Sequence, residues 1–230
     1  CNVDSKIVFI TCFPSYKTFR LLEHFHCCKQ RLKKEPEKSN GGALSTDATC
    51  IVLFCSVEQI PTLIQAAEKH GFVNHIPLVF IKNYSGQVLK ANMRIVGATE
   101  YGIVLYRDRL PKFRNNGKMI FNWMKWEKDG PEIPKCHPTQ KVQSVLRKLI
   151  EVFTDPGDVV IDPVAGSGST LRAAKDLGRN SYGFEIYKPF YQKAINEMLN
   201  ENYGEYAMRQ ADKETGQINI FDIGGGVADD

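Results

Sequence analysis

The chain has 230 residues, 43% hydrophobic and 24% charged, with a formal net charge of +4. That composition suits one globular domain with its own core and excludes an intrinsically disordered chain. No apolar run reaches the roughly 20 residues of a membrane-spanning helix, and no signal-peptide pattern precedes the first strand. At this size about 70% of the unfolded surface can be buried, so neither metal nor disulfide is needed for stability. The seven cysteines are odd in number and form no C-x-x-C pair, which points to a reducing compartment. The cluster His24, His26, Cys27 and Cys28 raises zinc, but adjacent cysteines fit a tetrahedral site poorly, so no metal is expected. The start at Cys1 reads as a trimmed or processed N-terminus.

In chain order, the run "IVFIT" (7–11) predicts a buried strand, followed at once by "FPSY" (13–16). Residues 17–31 predict a helix, and "KKEPEKSNGGALSTDA" from Lys33 predicts a long loop. "CIVLFCS" (50–56) is a second buried strand, and residues 57–71 a helix stopped by Gly71. Residues 76–82 and 101–107 are further strands, with a loop or short helix between them. Residues 108–136 show no regular period. "HPTQK" (137–141) opens a helix whose apolar stripe is Val142, Val145, Leu146, Leu149, Ile150 and Phe153, ended by Pro156 and Gly157. "DVVID" (158–162) is a strand, "PVAGSGS" (163–169) a loop, and 170–178 a helix closed by Gly178. "SYGFEI" (181–186) is a strand ending near Glu185, and 189–200 a last helix. Alternating strands and helices imply an α/β fold with a mostly parallel sheet, whose ligand sits beyond the carboxyl ends of the strands.

The loop around Gly166 and Gly168 admits three ligands. A P-loop requires Lys before its Ser or Thr, and Ser169-Thr170 follow Gly168 directly. A dinucleotide loop requires Gly or Ala where Leu171 stands. S-adenosylmethionine carries no phosphate and needs only close backbone approach. Glu185 at the end of the next strand suits a carboxylate that accepts both ribose hydroxyl hydrogens.

Residues 137–192, "HPTQKVQSVLRKLIEVFTDPGDVVIDPVAGSGSTLRAAKDLGRNSYGFEIYKPFYQ…", resemble the amino-methyltransferases of DNA in their permuted (beta) class, which methylate adenine N6 or cytosine N4. The resemblance implies a Rossmann-like methyltransferase fold with circularly permuted motif order, S-adenosylmethionine as cofactor, and base flipping of double-stranded DNA. It further implies that Asp162, Gly166, Gly168 and Glu185 line the cofactor site, with Val164 and Thr170 in the same motif and Thr139 and Lys141 beside the methionine end. Val142 stands where the family has Pro, and Val164 where it has Phe.

The family's catalytic signature, Asp-Pro-Pro-Tyr or a variant, falls on "FPSY". Pro14, Ser15 and Tyr16 are the candidate catalytic residues, but Phe13 occupies the acceptor position and cannot accept a hydrogen bond. An eroded, inactive DNA- or partner-binding protein on the same fold is the alternative. The resemblance also expects a strand and a short helix upstream of "NVDSKIVFIT".

Segments 29–49 and 107–136 are the candidate nucleic-acid contacts. Lys33, Lys34, Arg109 and Arg114 would meet phosphates, and Trp123 and Trp126 either stack on bases or pack as core. The methyltransferase domain is expected over 1–208 and a flexible tail over 209–230. In that tail Gln217 to Phe221, "QINIF", resembles a sliding-clamp-binding peptide, and a second copy of the chain is a further candidate partner. The resemblance implies a cytoplasmic, nucleoid-associated protein of prokaryotic or phage origin.

Overall fold

The computed structural model describes residues 7–12, 48–84, 87–90, 92, 95–108 and 118–200. "FPSY", the expected helix 17–31, the His24–Cys28 cluster and the tail with "QINIF" lie outside the described residues.

Among the described residues, seven strands form one sheet in the order β7-β3-β6-β2-β1-β8-β9. They are β1 (Ile7–Cys12), β2 (Ala48–Cys55), β3 (Asn74–Lys82), β6 (Thr99–Tyr106), β7 (Trp123–Trp126), β8 (Val159–Asp162) and β9 (Asn180–Gly183). β1 pairs in parallel with both β2 and β8, β8 with β9, and β3 with β7. Only β6 runs against its neighbours, between β2 and β3. The sheet is therefore mostly parallel, as expected, with one reversed strand. A separate hairpin, β4 (Gln87–Lys90) and β5 (Ile95–Gly97), occupies the stretch read as loop or short helix. Its strands are too short to show a period against the Gly and Asn around them.

The continuous apolar runs follow from two-sided burial. Along β2, Cys50, Val52 and Phe54 enter one core, while Ile51 and Leu53 enter the other. Strand β8 alternates likewise, with Val160 on the first side and Val159 and Ile161 on the second. Helix α1 (Ile60–Glu68) covers the second side through Leu63 and Ala67. Helices α2 (Gln143–Phe153) and α3 (Ser169–Asp176) cover the first, through Val145, Leu146, Leu149 and Ile150 of α2 and Ala173 and Ala174 of α3. An Arg147–Asp176 ion pair links α2 to α3. Helix α4 (Lys188–Lys193) runs into a π-turn at Ala194–Met198, whose Met198 is fully buried. Among the described residues no helix is long and apolar enough to cross a membrane.

At one end of the first core, Phe54, Phe80 and Trp126 form an aromatic cluster, with ring centroids 4.9 Å apart for Phe54–Phe80 and 6.1 Å for Phe80–Trp126. Phe80 has no exposed surface. Phe80→Ala is expected to cost about 3–5 kcal/mol of stability, since the cavity lies between rings that cannot collapse into it. Urea denaturation followed by circular dichroism measures this loss.

Candidate active site

The loop after β8 is built by backbone hydrogen bonds. The Val164 N–H donates to the Asp162 carboxylate at 3.1 Å, and the Ala165 N–H to the Phe184 carbonyl at 2.9 Å. Gly166 and Gly168 take φ of +53° and +76°, the left-handed region that favours glycine. Their surroundings differ. A Cβ on Gly168 would come within 3.2 Å of the Ala194 Cβ, whereas nothing lies closer than 3.9 Å to one on Gly166. Gly168 thus permits close packing beneath the loop, and Gly166 leaves the loop open. Thr170 is buried in the first turn of α3, and Val164 is half-buried.

Glu185 closes the loop. One carboxylate oxygen accepts the Gly166 N–H at 2.9 Å and the other the Tyr187 N–H at 2.7 Å. Strand β9 ends at Gly183, two residues before Glu185, so this carboxylate stands on the turn that follows the strand. Each oxygen retains lone-pair capacity for a ligand hydroxyl.

The "HPTQK" segment departs from the sequence expectation. It does not begin the helix: α2 starts at Gln143, with Val142 extended before it. The segment is a turn in which the Gln140 N–H donates to the His137 carbonyl at 3.2 Å. The Gln140 side chain folds back, donating to the Pro134 carbonyl at 2.9 Å and accepting the Cys136 N–H at 3.0 Å. The helix N-terminus is met by Asp129, whose carboxylate accepts the Gln143 N–H at 2.8 Å. Burial raises the pKa of Asp129 despite that bond. The attraction of a helix N-terminus for an anion is therefore directed to Asp129, and Thr139 has no part in it.

His137, which the sequence reading did not single out, joins this turn to the glycine loop. Its ring edge lies 3.9 Å from the place a Gly166 Cβ would take, and its centroid is 4.3 Å from that of Phe190. Nδ1 accepts the Thr139 N–H at 3.1 Å and sits 3.0 Å from the Thr139 hydroxyl. Burial pushes the imidazole pKa down, aided by Lys135 and Lys141 and opposed by Glu185. In the neutral ring the proton then belongs on Nε2. Only the proximity of His137 to Thr139 in sequence could have signalled this.

Lys141 turns away from Thr139 to the ends of β2, β6 and β3. It is buried, its ammonium donating to Glu100 at 2.6 Å and lying 5.1 Å from the Phe54 and 5.2 Å from the Trp126 ring centres. Lys82 donates to the other Glu100 oxygen at 2.6 Å. Phe54 is the register partner of Cys12, the last residue of β1, so this charged cluster borders the point where "FPSY" begins.

The two tryptophans part company. Trp126 is 3% exposed and belongs to the core, which corrects its candidacy as a nucleic-acid contact, because a ring enclosed by Phe54 and Phe80 cannot stack on a base. Trp123 is 41% exposed. Both stand on β7, a strand that the sequence reading missed because its four residues lie among irregular ones. Pro14, Ser15, Tyr16, Lys33, Lys34, Arg109 and Arg114 lie outside the described residues. Among the described residues no group of three or more His, Cys, Asp or Glu could hold a metal ion.

Burial opposes ionisation of Glu100, but Lys141 and Lys82 outweigh it and hold its pKa below the ordinary carboxylate value. Its contribution to stability is complete above the unfolded pKa of about 4.3 and is lost as pH falls through the lower folded value. Glu100→Gln is expected to be destabilising at neutral pH, with the gap to the parent closing as pH is lowered toward about 3, well under that unfolded pKa. Urea unfolding across this range tests it, and a gap that stays constant would refute it.

The signature of the family described as DNA methylase matches residues 43–197, more than half of the chain. YubD of Escherichia coli (strain K12), a methylase by name, is 33% identical over 62% of this chain and 58% of its own. The DNA adenine methyltransferase YhdJ of the same organism is 27% identical over 59% of this chain and 48% of its own, so the chain spans about half the length of these relatives. The crystal structure of the M1.HpyAVI–SAM complex superposes with a TM-score of 0.64 at 27% identity, covering 86% of this chain and 90% of that one. The cytosine-N4-specific PvuII DNA methyltransferase shares the fold, with a TM-score of 0.63 at 15% identity over 94% of this chain and 87% of its own. By sequence and by the architecture of its sheet, this chain belongs to the DNA methylase family.

Proposed function

We propose that the chain transfers a methyl group from S-adenosylmethionine to the exocyclic amine of a base flipped out of double-stranded DNA, adenine N6 in preference to cytosine N4. The observation that carries this reading is the parallel pairing of β1 with β8. It sets the end of β1, where "FPSY" begins, at the same sheet edge as the Gly166 loop. The relative named as an adenine methyltransferase supports adenine, whereas the cytosine-specific likeness is one of fold alone.

The residues present fit the cofactor. The loop is open at Gly166, lacks the lysine a phosphate would need, and is bordered by a carboxylate with capacity for ribose hydroxyls. When bound, S-adenosylmethionine supplies an electrophilic methyl group. Gly166 would admit it by backbone approach, Glu185 would hold the ribose, and Thr139, fixed by His137, would stand at the loop mouth with Val164 and Asp162. Tyr16 would stack on the flipped base, and Pro14 and Ser15 would shape the turn that presents its amine. Lys33, Lys34, Arg109 and Arg114 would engage phosphates. The setting is the cytoplasm, on the DNA of a prokaryote or phage.

A second reading is favoured by Phe13 itself. Its ring cannot accept a hydrogen of the amine, so the chain on this view binds DNA or a partner without catalysing transfer. Labelled S-adenosylmethionine and mixed-sequence DNA separate the two readings. Radiolabel in the DNA is expected, with N6-methyladenine as the nucleoside after hydrolysis. Phe13→Asp is expected to raise the rate by about a hundredfold, by analogy with restoring one hydrogen-bonding group at a reacting centre. Cofactor binding by calorimetry without any incorporation would establish the non-catalytic reading.

A further inference from the structure

The edge of the large sheet carries a surface that the active site does not use. Along β7, Met124 and Trp126 pack against the core. Trp123 and Lys125 take the opposite face, and both are exposed. Phe121 continues that stripe two residues earlier. The Phe121 and Trp123 rings stack with centroids 5.6 Å apart and planes 20° from parallel, although the two side chains are 72% and 41% exposed.

The backbone beneath the rings is pinned. Between them, the Asn122 carbonyl accepts the Val79 N–H at 2.9 Å, and its side-chain amide donates to the Pro77 carbonyl at 3.0 Å. Ile81, 43% exposed on β3, extends the apolar floor. Lys118 and Lys125, both exposed, stand on either side of the rings in sequence.

Two stacked rings held in water are hydrophobic area left unburied. Their cationic flanks select among occupants. An apolar protein partner gains nothing from desolvating ammonium groups, whereas a nucleic acid offers π-faces to the rings and phosphates to the lysines. Side chains on one strand face recur every ~6.6–6.8 Å, so the Lys125 ammonium follows the Trp123 ring along the face on which the Phe121 ring is stacked. A duplex keeps its base faces inside its own stack, so only an unpaired base can reach such a shelf.

We propose that Phe121 and Trp123, with Lys118 and Lys125, form a shelf that binds unpaired bases of single-stranded DNA by stacking. The proposal rests on the nucleic-acid part of the functional reading above and does not require methyl transfer. The full chain is titrated with a thymine-only single strand, which carries neither methylatable amine, and separately with the same strand annealed to its complement.

Phe121→Ala and Trp123→Ala are each expected to weaken single-strand binding about tenfold while changing duplex binding little. Lys125→Gln is expected to lower the salt slope of single-strand binding by about 0.7. The single strand should quench tryptophan emission in the parent but not in Trp123→Ala, since Trp126 is enclosed. Unchanged thermal midpoints show that the variants fold. The proposal is overturned if the parent does not bind the single strand, or if the ring variants bind it unaltered or lose duplex binding equally. It is also overturned if light scattering shows them dissolving a dimer while single-strand binding persists. Shelf binding without methyl transfer would leave this proposal standing and remove the catalytic one.

Discussion

The architecture depends on the parallel pairing of β1 with both β2 and β8 at the middle of the sheet. Parallel neighbours end at the same edge, and the segments that follow them are delivered there together. A strand near the start of the chain and one in its last third thus end at one edge of the sheet. Burial on both faces fixes β2 and β8, because each alternates between two hydrophobic cores and cannot shift register without exchanging them.

Around that edge the polar groups fall into two sets with different physics. The glycine loop is organised by neutral backbone donors, with Glu185 accepting two of them and burial lowering the pKa of the neighbouring His137. The second set is ionic, with Glu100 shared between Lys82 and Lys141 over aromatic rings. Burial raises the pKa of this partly buried carboxylate, and Lys141 and Lys82 together bring it below the ordinary value. The two sets meet in one short turn, since Thr139 bonds His137, which borders the loop, while Lys141 belongs to the ionic cluster. A segment that reads as one motif therefore serves two neighbourhoods.

The same separation holds for the tryptophans. Period-two alternation along β7 sends Trp126 into the core and Trp123 outward, so two identical side chains three residues apart have unrelated roles. At an edge strand this alternation leaves one face uncovered, which is how Trp123 comes to be exposed, with the Phe121 ring stacked on it just before the strand.

Much of this protein was legible in the sequence by itself. The runs at 50–56 and 158–162 declared buried strands, the stripe from Val142 to Phe153 declared α2, and Gly166 and Gly168 declared a tight loop after β8, because local periodicity and turn chemistry are written in adjacent residues. What only the tertiary structure decided was non-local. The reversal of β6, the strand character of β7, the capping of α2 by Asp129 in place of "HPTQK", the ion pairs of Lys141 and the burial of Trp126 all arise from residues far apart in sequence. Their physical reason is shared: hydrogen-bond partners, charge partners and covering layers are chosen by proximity in space, which no local pattern encodes.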